Sequence, residues 1–149
     1  MLDLGETDFA FKIAKTALDA WKREVEYSYY TFEMFNITSG RGGWFHNFGG
    51  LSTPVNIWTN AYYKPKTFST GLDIMVMNSK FNDDATEFNA NIKYYGNNEK
   101  YSVIVVMTDK KDNYKATVND ENADVFIRDK GIVEITIPGD VKTAEIKVF

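Results

Sequence analysis

The sequence contains no cysteine, a single histidine and only three prolines in 149 residues. Without cysteine the chain can form no disulfide framework, no thiolate nucleophile and no cysteine-ligated metal site. The lone histidine has no cluster of Asp or Glu around it at the spacing that metal ligands require. We therefore predict no metal site and no cofactor.

A long apolar run and an excess of basic residues are also missing. No segment approaches the roughly 18 consecutive apolar residues of a membrane span, and the N-terminus lacks the basic-then-apolar order of a signal peptide. Lysine and arginine total 17 against 21 acidic residues, which gives a formal net charge of -4. Nucleic-acid binding requires a basic surface. We predict neither a membrane nor a nucleic-acid partner, and the cellular compartment stays open.

The first third of the chain shows helical periodicity. Apolar residues recur there at spacings of three and four, namely Phe11, Ala14, Leu18, Trp21 and Val25. This pattern predicts a helix from about residue 8 to residue 30, with Thr7 or Asp8 as its cap. Its acidic residues are expected on the solvated face of the helix. They are Asp8, Asp19, Glu24 and Glu26. A second helix is predicted to begin at Ser52 or Thr53 and to end before Pro65.

From Thr67 onward the period changes from 3.6 to 2. Alternation is clearest at Thr86–Tyr94, while Tyr101–Thr108 is apolar on both faces, as in a central strand. Ile132–Ile137 and Ala144–Val148 alternate in part, and turn residues separate these runs. The sequence therefore predicts an α+β fold with two N-terminal helices in residues 1–66 and an antiparallel β-sandwich in residues 67–149.

The segment between the two helices combines glycine with aromatic rings. Residues 36–52 hold five of the ten glycines together with Arg41, Trp44, Phe45 and His46. Flat apolar rings beside a few fixed hydrogen-bonding groups are what a sugar-binding cleft requires. We expect a long, tightly folded loop here, and a loop that simply plugs the base of a helical core stays an alternative.

Glu33 stands just before this segment, among rings and near the predicted helix end. Neighbouring rings that remove water from a carboxylate raise its pKa toward the range of a general acid or base. The alternative is that Glu33 points to solvent, as most glutamates do.

These elements together resemble glycoside hydrolase family 63, which includes processing α-glucosidases and mannosylglycerate-type hydrolases, and more distantly the trehalases. The resemblance is carried by Glu33-Met-Phe-Asn36, then Thr38-Ser-Gly-Arg-Gly-Gly-Trp44, then Phe48-Gly-Gly-Leu-Ser-Thr-Pro-Val55 opening a helix. It covers residues 30–58 well. The Gly-Trp pair that the family has before the helix is Gly49-Gly50 here.

The resemblance implies that these helices end an (α/α)6 barrel and that Glu33 is the general base of an inverting hydrolase. Arg41, Trp44, Phe45 and His46 would then shape the site for a carbohydrate substrate. Inverting hydrolysis needs two carboxylates, and the family's general acid is an aspartate earlier in the barrel. We expect this acid to be absent and the chain alone to be inactive, as the C-terminal part of a larger enzyme.

Two helices cannot cover all the rings of a barrel end, so we expect association with the remainder of the barrel or with a second copy. The rings concerned are Trp21, Tyr29, Phe32, Trp44, Phe48 and Trp58. Two other functions stay open. One is a non-catalytic β-sandwich module that binds carbohydrate or protein through exposed rings at Tyr94, Tyr95, Tyr101 and Tyr114. The other is a purely structural accessory domain.

Overall fold

A computed structural model describes residues 1–46, 52–111, 113–129 and 131–149. After a short 3-10 helix at Leu2–Leu4, the elements in chain order are α1 (Thr7–Ser28), β1 (Phe32–Phe35), β2 (Gly42–His46), α2 (Ser52–Tyr63), β3 (Thr67–Ser69), β4 (Ile74–Phe81), β5 (Phe88–Tyr94), β6 (Lys100–Val106), β7 (Ala116–Val118), β8 (Glu121–Asn122), β9 (Asp124–Asp129), β10 (Ile132–Pro138) and β11 (Thr143–Val148). The predicted α+β class is confirmed.

Both predicted helices are present, and their ends have local causes. Helix α1 ends where Tyr29 adopts a left-handed conformation (φ 62°) and its N–H donates to the Val25 carbonyl at 2.8 Å, which satisfies a carbonyl of the last turn. Helix α2 carries Pro54 in its first turn and stops two residues before Pro65. Neither described helix is long and apolar enough to cross a bilayer.

The strands after α2 form two antiparallel sheets. Their orders are β3-β6-β10-β9 and β4-β5-β11-β7-β8. The predicted runs at Thr86–Tyr94, Ile132–Ile137 and Ala144–Val148 correspond to strands β5, β10 and β11, and β5 begins two residues later than predicted. Asn119 and Asp120 join β7 to β8 with both residues at positive φ, the geometry that two-residue hairpins favour.

Residues of both sheets contribute to one buried hydrophobic cluster. The Tyr94 ring of β5 stacks on the Tyr101 ring of β6 with centroids 4.1 Å apart, and Phe68 of β3 lies 4.8 Å from Phe88 of β5. Burial raises the pKa of Tyr101 to about 12, and its hydroxyl donates to the Val141 carbonyl at 2.8 Å. The inner faces of the two sheets are therefore in direct contact through large rings.

The four-stranded sheet also buries a charged pair. Glu134 of β10 is 2% exposed and accepts hydrogen bonds from Arg128 of β9, with Nη2 to Oε2 at 2.8 Å. Arg128 Nη2 also donates to Asp8 Oδ1 at 2.6 Å. Burial raises the pKa of the nearby Tyr62 to about 12, and the charge of Glu134 adds to the shift. Each buried charge in this network has an opposite charge beside it.

The chain divides into two compact units, one of residues 10–60 and one that joins residues 1–9 to residues 61–149. These bounds differ from the predicted division at residue 66. The first nine residues belong with the sheets because Asp3 accepts from the backbone N–H groups of Leu72 and Asp73 at 3.0 Å each. Asn98 also donates to the Asp3 carbonyl at 2.8 Å.

Candidate functional site

The prediction of one long loop at residues 36–52 is wrong at Gly42–His46, which form strand β2 of an antiparallel hairpin. Strands β1 and β2 pair through Phe32 with His46, Met34 with Gly43 and Phe35 with Gly42. Residues 47–51, which include Phe48 and the Gly49–Gly50 pair of the motif, lie outside the described residues. We call residues 32–46 the hairpin.

Asn36 and Gly40 form the turn of the hairpin. The Asn36 side-chain oxygen accepts from the N–H groups of Thr38 and Ser39 at 2.9 Å each. Gly40 is left-handed (φ 64°), so its N–H reaches the Asn36 carbonyl at 2.7 Å. A Cβ atom on Gly40 would also lie 2.6 Å from Arg23 Nη2. The glycine that suggested a loop is thus the residue that closes a tight turn.

Helix α1 holds the hairpin through Glu24. The Glu24 carboxylate accepts from Arg41 Nε at 2.7 Å, from Arg41 Nη2 at 3.2 Å and from the Gly42 N–H at 3.0 Å. These hydrogen bonds, led by that from Arg41, lower the pKa of Glu24 from its ordinary value of 4.5 to about 2. The carboxylate is therefore ionised at every pH at which the protein would be used.

The expectation that Glu24 lies on the solvated face of α1 is wrong, because it is 2% exposed. The two acidic residues around it do follow the prediction. Asp19 pairs with Lys15 at 2.6 Å and Glu26 with Lys22 at 3.7 Å, each in an exposed i, i+4 pair. Glu24 is the exception because two donors of the hairpin reach its carboxylate.

Arg41 is fixed on two sides. Glu24 takes its Nε and Nη2 groups, and its guanidinium carbon lies 4.0 Å from the centre of the Tyr27 ring. Hydrogen bonding to Glu24 is the largest cause that raises the pKa of Arg41. The side chain is still 48% exposed. It can therefore meet a ligand, as the sequence predicted, although Glu24 already occupies one edge of the guanidinium.

Trp44 lies in a β-bulge opposite Glu33. Between the pairs Phe32–His46 and Met34–Gly43, β1 has only Glu33 while β2 has both Trp44 and Phe45. Trp44 adopts a left-handed backbone (φ 69°) and is 70% exposed. A bulky residue at positive φ is a conformational outlier that the surrounding structure must enforce. The Phe45 side chain lies outside the described part of the structure.

Glu33 lies on β1, so its predicted position near a helix end is wrong: α1 already stops at Ser28, and the chain turns through Tyr29. The side chain is half-buried. Within the described ranges, it forms no hydrogen bond or ion pair. Strand β1 thus presents opposite the bulge a carboxylate that has no partner in the described part of the chain.

His46 is exposed, and its ring lies 5.1 Å from that of Tyr30. Among the described residues no three His, Asp or Glu side chains are grouped to hold a metal ion. The Phe32 ring covers Gly42, where a Cβ atom would collide with it. Of the four tyrosines that a ring-bearing sheet face would use, Tyr94, Tyr101 and Tyr114 are core residues and Tyr95 alone is exposed.

Two further residues of α1 were not predicted as part of this region. One is Glu24, and its signal in the sequence is its position three residues after Trp21 on the apolar stripe. The other is Trp21 itself, whose buried indole Nε1 finds no hydrogen-bond acceptor among the described residues. Buried donors are almost always paired, so this indole is an exception among the described side chains.

Comparison of the chain with protein-family models, with curated proteins and with solved structures finds no match.

Proposed function

We propose that the hairpin carries the general base of a carbohydrate-active glycoside hydrolase and that the chain is the C-terminal part of that enzyme. Glu33 is the base that activates water in an inverting reaction. Arg41, Trp44, Phe45 and His46 surround the sugar, and the general acid comes from an aspartate of the preceding barrel. In this proposal α1 and α2 end the barrel, and the two contacting sheets form a β-sandwich appended to it.

The observation that carries the proposal is the bulge that sets Trp44 opposite Glu33. Bulges of this kind occur next to active sites, where they redirect a side chain. A tryptophan held at positive φ costs on the order of 1–3 kcal/mol, and strain of this kind collects at functional sites. Gly42 and Gly43 directly precede Trp44 and would accept this backbone more easily. An exposed tryptophan at the strained position suits stacking on the apolar face of a pyranose ring.

The state of Glu33 supports the same role. A general base must reach its water without being held by another protein group, and Glu33 is the hairpin carboxylate without an ion pair among the described residues. Glu24 cannot serve, because Arg41 and Gly42 occupy its oxygens. In this proposal Glu24 therefore holds the hairpin in place, and Glu33 acts as the general base.

Sugar binding by the whole chain tests the proposal. Methyl α-D-glucopyranoside, methyl α-D-mannopyranoside and trehalose are titrated by calorimetry against the native protein, Trp44→Ala and Tyr95→Ala. We expect at least one sugar to bind, binding to be lost in Trp44→Ala, and Tyr95→Ala to bind like the native protein. Loss of binding in Tyr95→Ala alone would favour a binding module on the sheet face, and no binding of any sugar would overturn the proposal.

A further inference from the structure

The charge of Arg41 is already neutralised inside the protein. Both Glu24 oxygens accept from its guanidinium, at 2.7 and 3.2 Å. Glu24 lies directly behind the guanidinium, so the pair carries no net charge and attracts an anion less than a free arginine would. To a ligand, Arg41 therefore presents hydrogen-bond donors with a weakened positive field.

The guanidinium is also held in place for a ligand on its other edge. Glu24 uses Nε and Nη2, the Tyr27 ring lies against one face, and about half of the side chain remains exposed. A guanidinium group that is fixed in this way loses little conformational entropy when it binds a ligand. Hydroxyl groups can accept from its Nη1 edge.

Two further charged side chains lie at the hairpin, one of each sign. Arg23 reaches the turn at Gly40, and Glu33 lies on β1 opposite the bulge. Glu33 would repel an anionic ligand held close to the bulge. The charge opposite the bulge is thus negative, and the cation Arg23 lies at the turn.

We propose that the hairpin selects uncharged sugars and rejects anionic ones, because the buried Glu24 turns Arg41 from an anion receptor into a donor for hydroxyl groups. Glu24 is then a positioning and specificity residue that never touches the sugar. This inference rests on the proposed function and narrows its substrate to neutral glycosides, without phosphate, sulfate or uronate groups at the sugar bound by Arg41.

Matched sugars that differ in one charge test the inference. The probes are methyl α-D-glucopyranoside and methyl α-D-mannopyranoside, each beside its uronate, in which a carboxylate replaces the C6 hydroxymethyl group. For the native protein we expect each uronate to bind at least about threefold more weakly than its neutral partner.

Glu24→Gln should reverse the ratio of the affinities for the uronate and for its neutral partner. The variant keeps a side chain of the same shape and uncovers the charge of Arg41, so the uronates should bind more tightly than the neutral glycosides, and added salt should remove that advantage. Glu26→Gln makes the same change in net charge two residues away in an exposed pair, and it should keep the native ratio. A purely structural role for Glu24 would weaken both sugars of a pair equally.

The outcomes separate the two proposals. If the native protein binds a uronate at least as tightly as its neutral partner, the charge selection is overturned and the carbohydrate site stands. If no glycoside of either kind binds, both are overturned. The ratio of the two affinities in the native protein is decisive by itself. The test therefore holds even if Glu24→Gln fails to fold.

Discussion

Each unit of this protein buries a glutamate against an arginine, and the two pairs differ in what they leave open. In the unit of the two sheets, Arg128 is 11% exposed between Glu134 and Asp8, and the network is closed. In the hairpin unit, Glu24 is as deeply buried as Glu134, yet Arg41 is half exposed. The same kind of ion pair is thus enclosed in one unit and open to solvent in the other, where we propose that it prepares a surface for a ligand.

The largest effect on stability should come from removing one partner of the enclosed Arg128–Glu134 pair. Glu134→Ala leaves Arg128 without its main partner in a buried position, so we expect the free energy of unfolding to fall by about 3–5 kcal/mol. Urea unfolding followed by far-ultraviolet circular dichroism measures it. Glu121→Ala, on the exposed strand β8, should change it little, and an equal loss in both variants would contradict the assigned role.

The next effect concerns the two glycines at the start of β2. Gly42→Ala forces the Phe32 ring to move and should lower the stability of the hairpin unit by about 1–3 kcal/mol. Gly43→Ala, one residue on, meets no atom within 4 Å and should be neutral or slightly stabilising. Unfolding followed by tryptophan fluorescence compares them, and equal effects would mean that the Phe32 contact does not form in solution.

A smaller change of the opposite sign is expected at the bulge. Trp44→Gly removes the cost of a bulky residue at positive φ, so the stability of the hairpin unit should rise by about 1 kcal/mol while sugar binding disappears. Chemical denaturation and calorimetric titration give the two values. A Trp44→Gly variant that is less stable than the native protein would show that packing of the ring outweighs backbone strain.

The smallest expected effect is on the pH dependence of stability. The pKa of Glu24 is lowered from 4.5 to about 2, so its contribution to stability is complete above pH 4.5 and declines as the pH falls toward 2. The melting temperature of the native protein should therefore fall relative to that of Glu24→Gln across this window. Parallel curves for the two proteins would contradict the ion pair.

Sequence periodicity was sufficient for the elements that bury one continuous face. Helix α1 and strands β5, β10 and β11 repeat their apolar residues often enough to be recognised. The hairpin was missed because β1 has four residues and β2 begins with two glycines, which individually indicate a loop. Its pairing is set by the Asn36 turn and by the Phe32 ring over Gly42, and neither contact has a periodic signal.

The position of Glu24 next to the apolar stripe hints at its burial, but its neighbours in the chain do not identify its partner. Arg23 and Glu26 are exposed charges, and the partner Arg41 stands 17 residues away. Glu33, Trp44 and His46 lie on the two strands of the hairpin and Arg41 directly precedes β2, whereas the pairing of Arg41 with Glu24 required the structure. Residue types thus suggested the members of the proposed site, and tertiary contacts determined the charge that these residues present.

The most direct test of the central claim uses the indole N–H signals of the three tryptophans in a nuclear magnetic resonance titration with methyl α-D-glucopyranoside and methyl α-D-mannopyranoside. If the hairpin is a sugar site, the Trp44 signal should shift in a saturable manner with at least one glycoside, while the Trp58 signal of α2 stays in place. Saturable binding that leaves the Trp44 signal unmoved, or no binding at all, would contradict the account.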